Sequence, residues 1–398
     1  MVGRLEFAFF GFVLFCMSIL TFLTREQTFT ISRFRAPVPT FAVIFDAGST
    51  GSRVHVFQFN ERNEIVPVSD SGSLSSFCSV DGGLSSYSSE PESLRAGIAQ
   101  LASCASNTTA QTSRARVFAF LGATAGMRLL PEATRDALME VAKNEIRNVY
   151  PSISGRVIDG QEEALYLWET VSFLTRDNTV IVVDLGGASV QLAFRSPRPA
   201  LSEQERHFIQ PRADGSHVYL HSWLGFGLKA ARMRILQGKE LSACILKPVD
   251  YEYNAECVHV QPVSGSCQEE VIAAMSIGQG CELQPCAFNG GWRGPHSTGT
   301  VYLFSFIYDV AEKLGLISPG ETQKQLKVSD LVDGAKNVCA TSHDDSFLCL
   351  DATFVATLVN KGLGIDLDQT VYVANHLSFQ GVSVEAAWPL GAALTQLH

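Results

Sequence analysis

With 398 residues, 46% of them hydrophobic and 18% charged, the chain is long enough for two lobes that share a cleft, each with its own core. Its formal net charge of −10 and its lack of a basic tract exclude a protein that holds nucleic acid through many phosphates, which needs a dense Lys/Arg footprint. An acidic protein that binds phosphate has to do so locally, with backbone amides and a metal ion.

In chain order, the first element is Phe7 to Leu23, a charge-free run between Glu6 and Arg25 at the short end of the range for a membrane span. No small-x-small cleavage site follows in Thr24-Arg25-Glu26-Gln27. Residues 1–24 therefore read as a cytosolic tip and uncleaved signal anchor, the alternative being a cleaved signal peptide. Charge does not orient the span, because Arg25, Arg33 and Arg35 outweigh Arg4 and the amino terminus. Residues 25–40, with Pro37 and Pro39, make a polar stem.

Phe41 to Phe45 is an apolar run of buried-strand type that ends at Asp46. Ala47-Gly48-Ser49-Thr50-Gly51 is a tight turn, and Arg53 to Phe59 alternates as a second strand. Ser69 to Ser89 reads as loop and Pro91 to Leu101 as helix, and Asn107-Thr108-Thr109 is a glycosylation acceptor. Val117 to Leu121 is a strand running into Gly122-Ala-Thr124-Ala-Gly126, and Pro131 to Tyr150 is helical. Arg156 to Ile158 reads as a strand, and a helix starts at Gly160-Gln-Glu162-Glu163. Thr179 to Val183 then repeats the opening pattern: apolar strand, Asp184, the turn Leu185-Gly186-Gly187-Ala188-Ser189, and alternating Val190 to Phe194. Residues 195–217 read as a connecting loop, His221 to Leu236 as helix, and 238–300 as an irregular Cys- and Gly-rich segment. Val301 to Leu314 and Phe347 to Val359 read as helices, Val371 to Ala374 as a strand, and Val384 to Leu397 as a helix interrupted by Pro389.

The two strand–Asp–Gly-turn–strand units stand 138 positions apart (184 minus 46). One such turn is an ordinary hairpin tip. Two matched ones suggest a duplicated α/β lobe with a phosphate clamped between the copies. Glycine turns expose backbone N–H groups that converge on phosphate oxygens, so Ser49, Thr50, Gly51 and Gly186 to Ser189 offer donors from two sides. The hydroxyls of Ser49 and Ser189 add to them. Asp46 and Asp184 stand too close to such a phosphate to be tolerated without a cation, and hard oxygen ligands suit magnesium or calcium. The bland alternative is that each Asp caps its own turn.

If water is to attack the clamped phosphate a base is needed, and a carboxylate in the first turn after Gly160 is held ionised by the helix dipole. Helix capping explains an acidic residue there equally well. Thr124 is a candidate to position water or phosphate. Arg53 and Arg128 are the nearest cations, and each either neutralises phosphate or pairs with a carboxylate.

Of ten cysteines, Cys16 lies in the span and five fall between Cys244 and Cys286, which in an exported domain reads as a disulfide framework. A zinc site would favour paired Cys-x-x-Cys knuckles, which are absent here. Nine cysteines beyond the span is an odd number, so at least one thiol stays free. The bulk of the chain is thus expected in an oxidising lumen or outside the cell.

The segments Val43 to Arg53, Gly122 to Arg128, Gly160 to Ala164 and Val183 to Gln191 resemble, in order, four regions of the apyrases, the nucleoside triphosphate diphosphohydrolases. His221 to Leu228, Cys286 to Trp292 and Glu385 to Gly391 are similar to further segments of the family, so the resemblance covers about residues 41–398. It implies an α/β fold of two actin-like, ribonuclease-H-like lobes with the active site in the cleft: residues 41–157 plus 384–398 as lobe I and 158–383 as lobe II. It maps phosphate binding onto Gly48, Ser49, Thr50, Gly51, Gly186, Gly187, Ala188, Ser189 and Gln191, and catalysis onto Glu163, beside which Thr124 stands as the second candidate catalytic residue. Calcium or magnesium would be held, largely through water, by Asp46 and Asp184. Cys281–Cys286 and Cys339–Cys349 look like family disulfides and Cys244–Cys267 fits as a third, leaving Cys78, Cys104 and Cys257 unassigned. The implied activity is removal of terminal phosphate from nucleoside di- and triphosphates. The implied setting is a single-span Golgi or endoplasmic reticulum protein with a luminal catalytic domain, or else a secreted one. No protein partner is evident. Rival readings are an exopolyphosphatase-like hydrolase, an actin-like-fold sugar kinase and a non-enzymatic binding module.

Overall fold

The computed structural model describes residues 40–69, 72–110, 115–341 and 344–397. The expected anchor and all but the last residue of the stem lie outside them. Among the described residues no helix is long and apolar enough to cross a membrane.

Six strands form the first sheet: β1 (Thr40–Ala47), β2 (Gly51–Phe59), β3 (Ile65–Val66), β4 (Ser75–Asp81), β5 (Arg116–Ala123) and β6 (Ser154–Val157). β1 and β2 make an antiparallel hairpin, β5 and β6 follow parallel to β1, and β4 pairs with the outer side of β2. Seven strands form the second sheet: β7 (Ile181–Leu185), β8 (Ser189–Arg195), β9 (Ile209–Pro211), β10 (His217–Leu224), β14 (Val301–Ser305), β15 (Gln323–Lys327) and β16 (Thr370–Ala374). Here β7 and β8 make the hairpin, β14 and β16 follow parallel to β7, and β10 pairs with the outer side of β8. The same topology thus occurs twice, as the repeated sequence pattern and the two-lobed actin-like expectation require. Between the halves of the second sheet, β11 (Leu241–Ser242), β12 (Val249–Tyr253) and β13 (Glu256–Pro262) form a small separate sheet, and β17 (His376–Phe379) and β18 (Val382–Glu385) a late hairpin.

Two helices, Gly160–Thr175 and Trp388–Leu397, fill the space between the large sheets. Their side chains Leu167, Val171, Leu390 and Ala393 share one buried cluster with Ala42 and Ile44 of β1 and with Val182 and Ala193 of the second sheet. Thr170 Oγ1 donates to Ala387 O (2.9 Å) and accepts from Gly391 N (2.8 Å), so a buried hydroxyl ties the two helices together. Gly391 lets them touch, since a Cβ there would lie 1.8 Å from Tyr166 O. This packing sets the two Asp-bearing strand ends against each other.

Several elements differ from the sequence expectation, each for a physical reason. The Ser-rich stretch read as loop contains β4, an edge strand whose order comes from its pairing with β2. His221 lies within strand β10, and the helix begins only at Leu228, after Gly225 turns the chain at φ +84°. Val301 to Phe304 is buried on both faces as the parallel strand β14, a pattern that an apolar helix shares, and the helix is Phe306–Lys313. The segment 195–217 carries a short helix, Glu203–Arg206, and β9. The helix read to end at Leu101 runs on to Thr109 and puts exposed Asn107 in its last turn. Val382–Glu385 is a strand, and Pro389 sits in the first turn of the final helix, where a missing N–H costs nothing.

The disulfides are Cys244–Cys267, Cys281–Cys286, Cys339–Cys349 and a fourth, Cys78–Cys104, which links β4 to the helix Arg95–Thr109. Among the described residues Cys257 is free and exposed.

Candidate active site

Asp46 and Asp184 are each the penultimate residue of a buried strand, β1 and β7, and each is followed by a glycine turn. The turns face each other so closely that a Cβ on Gly187 would lie 2.6 Å from Ser49 Oγ and 2.7 Å from Thr50 Cγ2. The carbonyls of Gly186, Gly187 and Ala188 accept from the amides of Leu228, Lys229 and Gly225 at 2.8–3.0 Å. A trans peptide points its C=O and N–H in opposite directions, so this anchoring turns the next amides of the loop the other way. Between the turns lies a cavity of about 260 Å³ lined by Asp46, Gly48 to Thr50, Thr124, Glu163, Asp184 and Gly186 to Ser189. Most of the residues singled out from sequence meet there. Gly51 and Gln191 do not line it.

The two aspartates are electrostatically incomplete. Asp46 Oδ2 lies 3.7 Å from Arg53 Nη1, but Asp46 Oδ1 and Asp184 Oδ1 are buried without a hydrogen-bond partner. Burial pushes the Asp46 carboxyl up to about 6, against the pull of Arg53 and of the Trp388 indole, and the neighbouring Asp184 adds to the rise. Burial likewise raises Asp184, against a hydrogen bond from Ser305 and the charge of Arg53. Two orphaned carboxylate oxygens lining one cavity fit a hard divalent cation. Among the described residues no three His, Cys, Asp or Glu side chains group as a metal site.

The adjacent carboxylates Glu162 and Glu163 have separate fates. Asp159 caps the helix and forms a reciprocal capping box with Glu162, whose carboxylate also takes two bonds of 2.5 Å from Arg156. Glu162 is therefore occupied by local structure. Glu163, one position on, is turned into the cavity and buried. Its Oε2 accepts from Arg128 Nη2 (2.6 Å) and Gln191 Nε2 (3.2 Å), which leaves Oε1 for a water. Burial pushes the Glu163 carboxyl up to about 7, opposed by Arg128 and reinforced by the charges of Asp184 and Asp46.

Arg128 also reaches Ser189 Oγ (3.3 Å), and Gln191 Nε2 reaches Ser189 Oγ (2.6 Å) and Ser222 Oγ (3.0 Å). Gln191 thus stands behind Glu163. Gly160 admits the guanidinium, since a Cβ there would lie 2.5 Å from Arg128 Nη1 and 2.2 Å from Ser222 Oγ. Both arginines left open by sequence pair with carboxylates here: Arg53 with Asp46, Arg128 with Glu163. Thr124 is buried on the cavity wall and makes no side-chain capping bond to the short helix that follows it.

Other groups on the wall escaped sequence reading. Ser305 at the end of β14, Phe306 and Asp309 of the helix Phe306–Lys313, and Asn375 just after β16 also line the cavity and belong to no motif. Ser305 carries one usable signal only in three dimensions, a positive φ of 60° at the end of β14. Glu385 and Trp388 line it too, from a segment that sequence read as helix and that only the resemblance marked for function.

The chain matches the GDA1/CD39 (nucleoside phosphatase) family over residues 38–398. "Probable apyrase 2" of Oryza sativa subsp. japonica is 31% identical over 404 residues, covering 89% of this chain and 85% of that protein. "Ectonucleoside triphosphate diphosphohydrolase 5" of Gallus gallus is 30% identical, covering 90% and 87%. Among solved structures, nucleoside triphosphate hydrolases from Neospora caninum superpose with a TM-score of 0.63 at 13% identity, over 90% of this chain and 92% of that one. A Ppx/GppA family member of Aquifex aeolicus superposes at 0.53 and 12% identity, over 90% and 98%. At such identities the structures speak for the fold alone.

Proposed function

The chain belongs to the GDA1/CD39 nucleoside phosphatase family, and on that premise we propose that it removes terminal phosphate from nucleoside di- and triphosphates in the cavity between its two large sheets. The observation that carries the reading is Glu163: a buried carboxyl held by Arg128 beside two facing glycine turns and two orphaned aspartate oxygens.

The amides of Gly48 to Thr50 and Gly187 to Ser189 grip the terminal phosphate from two sides, while the Gly186 amide is committed to Ser189 O (3.0 Å). Arg128 and Gln191 fix Oε2 of Glu163, and Oε1 accepts the proton of the attacking water. A base whose pKa is pushed up to about 7 is matched to work near neutral pH. As the bond to the leaving phosphate breaks, charge spreads over the equatorial oxygens, where prearranged amides stabilise it without reorganising. Thr124 is close enough to the same space to orient water or phosphate. Asp46 and Asp184 would hold Mg2+ or Ca2+, largely through water, and the ion would supply positive charge against the phosphates. Residues 41–157 plus 384–398 and 158–383 act as the two lobes. The four disulfides support a luminal or extracellular catalytic domain, anchored by the N-terminal segment or secreted, with Asn107 as a glycan site.

Phosphate release from GDP, UDP, ADP, ATP and long-chain polyphosphate, each with calcium and with magnesium, tests the reading. Release from nucleotides is expected; release from polyphosphate alone would replace it with the exopolyphosphatase alternative.

A further inference from the structure

The first glycine turn does not stand alone. Strand β4 pairs with β2 so that Asp81 lies opposite Gly51, which delivers the chain to the back of the turn. There Gly82 reverses direction at φ +85°, its carbonyl accepting from Ser52 Oγ (3.2 Å). Gly83 then presses on the turn: a Cβ there would lie 2.1 Å from Gly48 O and 2.9 Å from Ser49 C. Its own backbone, φ −72° and ψ 158°, is one that any residue adopts, so glycine is required for space alone. Two residues on, Ser85 fills the gap to the Thr124 turn, since a Cβ on Gly126 would lie 2.6 Å from Ser85 Oγ and 3.0 Å from Ser49 Cα. Leu84 anchors the segment in the core beside Met127, and the Cys78–Cys104 bridge ties β4 to the helix Arg95–Thr109.

We infer that residues 82–85, held by β4 and its disulfide, are a positioning wedge that sets the Gly48–Thr50 amides for the terminal phosphate. The inference rests on the phosphate-binding role proposed for that turn. The wedge touches no substrate and acts only through the turn. Its signature is therefore weakened phosphate affinity, which loss of folded protein does not mimic.

The test uses the full-length chain with GDP and Mg2+, comparing wild type, Gly83→Ala and Gly97→Ala. Gly97 is the control, because a Cβ there meets only Val80 of β4, at an ordinary 3.4 Å. For Gly83→Ala, kcat/KM is expected to fall about tenfold, mostly through KM, with the inhibition constant for inorganic phosphate rising by a similar factor. Gly97→Ala is expected to keep wild-type values. Wild-type KM and phosphate inhibition in a folded Gly83→Ala would overturn the wedge. If that variant does not fold, Cys78→Ser/Cys104→Ser is judged by the same two constants, with a threefold rise expected and no rise overturning it. If the wild type hydrolyses no nucleotide, the proposed activity fails. The wedge is then judged by calorimetric binding of inorganic phosphate to the same variants, where equal affinities refute it.

Discussion

Replacing Glu163 by Gln exchanges a buried ionisable carboxyl for a neutral group of nearly the same shape. Burial holds this carboxyl at about 7, against an ordinary value of 4.5. Below 4.5 the group is protonated in both folded and unfolded chains, and its full contribution to stability is present. As pH rises through 4.5 to 7, the unfolded chain gives up the proton before the folded one, and stability is lost across that window. At about 1.4 kcal/mol per pH unit the loss approaches roughly 3 kcal/mol by pH 8. Arg128's attraction is already contained in that shift, and Gln resembles the protonated acid. Glu163→Gln should therefore be more stable than wild type by roughly 3 kcal/mol at pH 8, about 5 °C in Tm for a unit of this size. The advantage should vanish towards pH 4.5, while turnover falls about a hundredfold or more at neutral pH. Thermal unfolding of both proteins from pH 4.5 to 8, with a chelator present to remove the competing effect of a cation, reads the difference. A Gln variant that is less stable throughout, or whose advantage does not change with pH, would refute the account of Glu163 as a base made ready by burial.

The same carboxyl sets an acid limb: kcat/KM should rise with pH through about 7, and lower under saturating metal, which offsets the charges of Asp46 and Asp184; a limb at 4.5 in limiting metal would point to another base. Asp184→Asn should raise the Mg2+ or Ca2+ concentration for half-maximal activity about tenfold or more; an unchanged metal titration counts against the two-aspartate site. Gly187→Ala drives a Cβ into Ser49 and Thr50 and should lower kcat/KM about tenfold to a hundredfold, read by steady-state phosphate release. Maleimide should add one label to native residues 40–398, at Cys257, without loss of turnover. A second label before reduction would contradict the four bridges.

The parts of the fold that were legible are those whose order is local. Asp46 and Asp184 each end an apolar strand and begin a glycine turn, and the spacing of these units already implied the duplicated topology seen in β1–β2 and β7–β8. What failed were elements ordered by distant partners. β14 looked helical because four buried apolar residues carry no period, and only β7 and β16 on either side make it a strand. β4 looked like loop because its composition is polar, and β2 supplies its hydrogen bonds. The cavity wall from Ser305 to Asn375 was invisible for the same reason, being assembled from the ends of β14 and β16 and the helix Phe306–Lys313.

Glu162 and Glu163 show why sequence alone could not separate a cap from a base. A helix start has one local use for a carboxylate at its third position, and either reading suits an acidic first turn. The capping box with Asp159 and the paired bonds from Arg156 satisfy that use with Glu162. The next residue is rotated by about 100° around the helix, so the Glu163 side chain is turned away from the cap and is buried where Arg128 and Gln191 donate to it. Those two partners come from the short helix Ala125–Arg128 after β5 of the first sheet and from β8 of the second. A carboxylate left over by local structure, and held by one group that follows the first sheet and one that belongs to the second, depends on the sheets being docked. On the proposed function, Glu163 would be competent as a base only when the two glycine turns face each other, so the packing that would form the phosphate clamp would also ready Glu163.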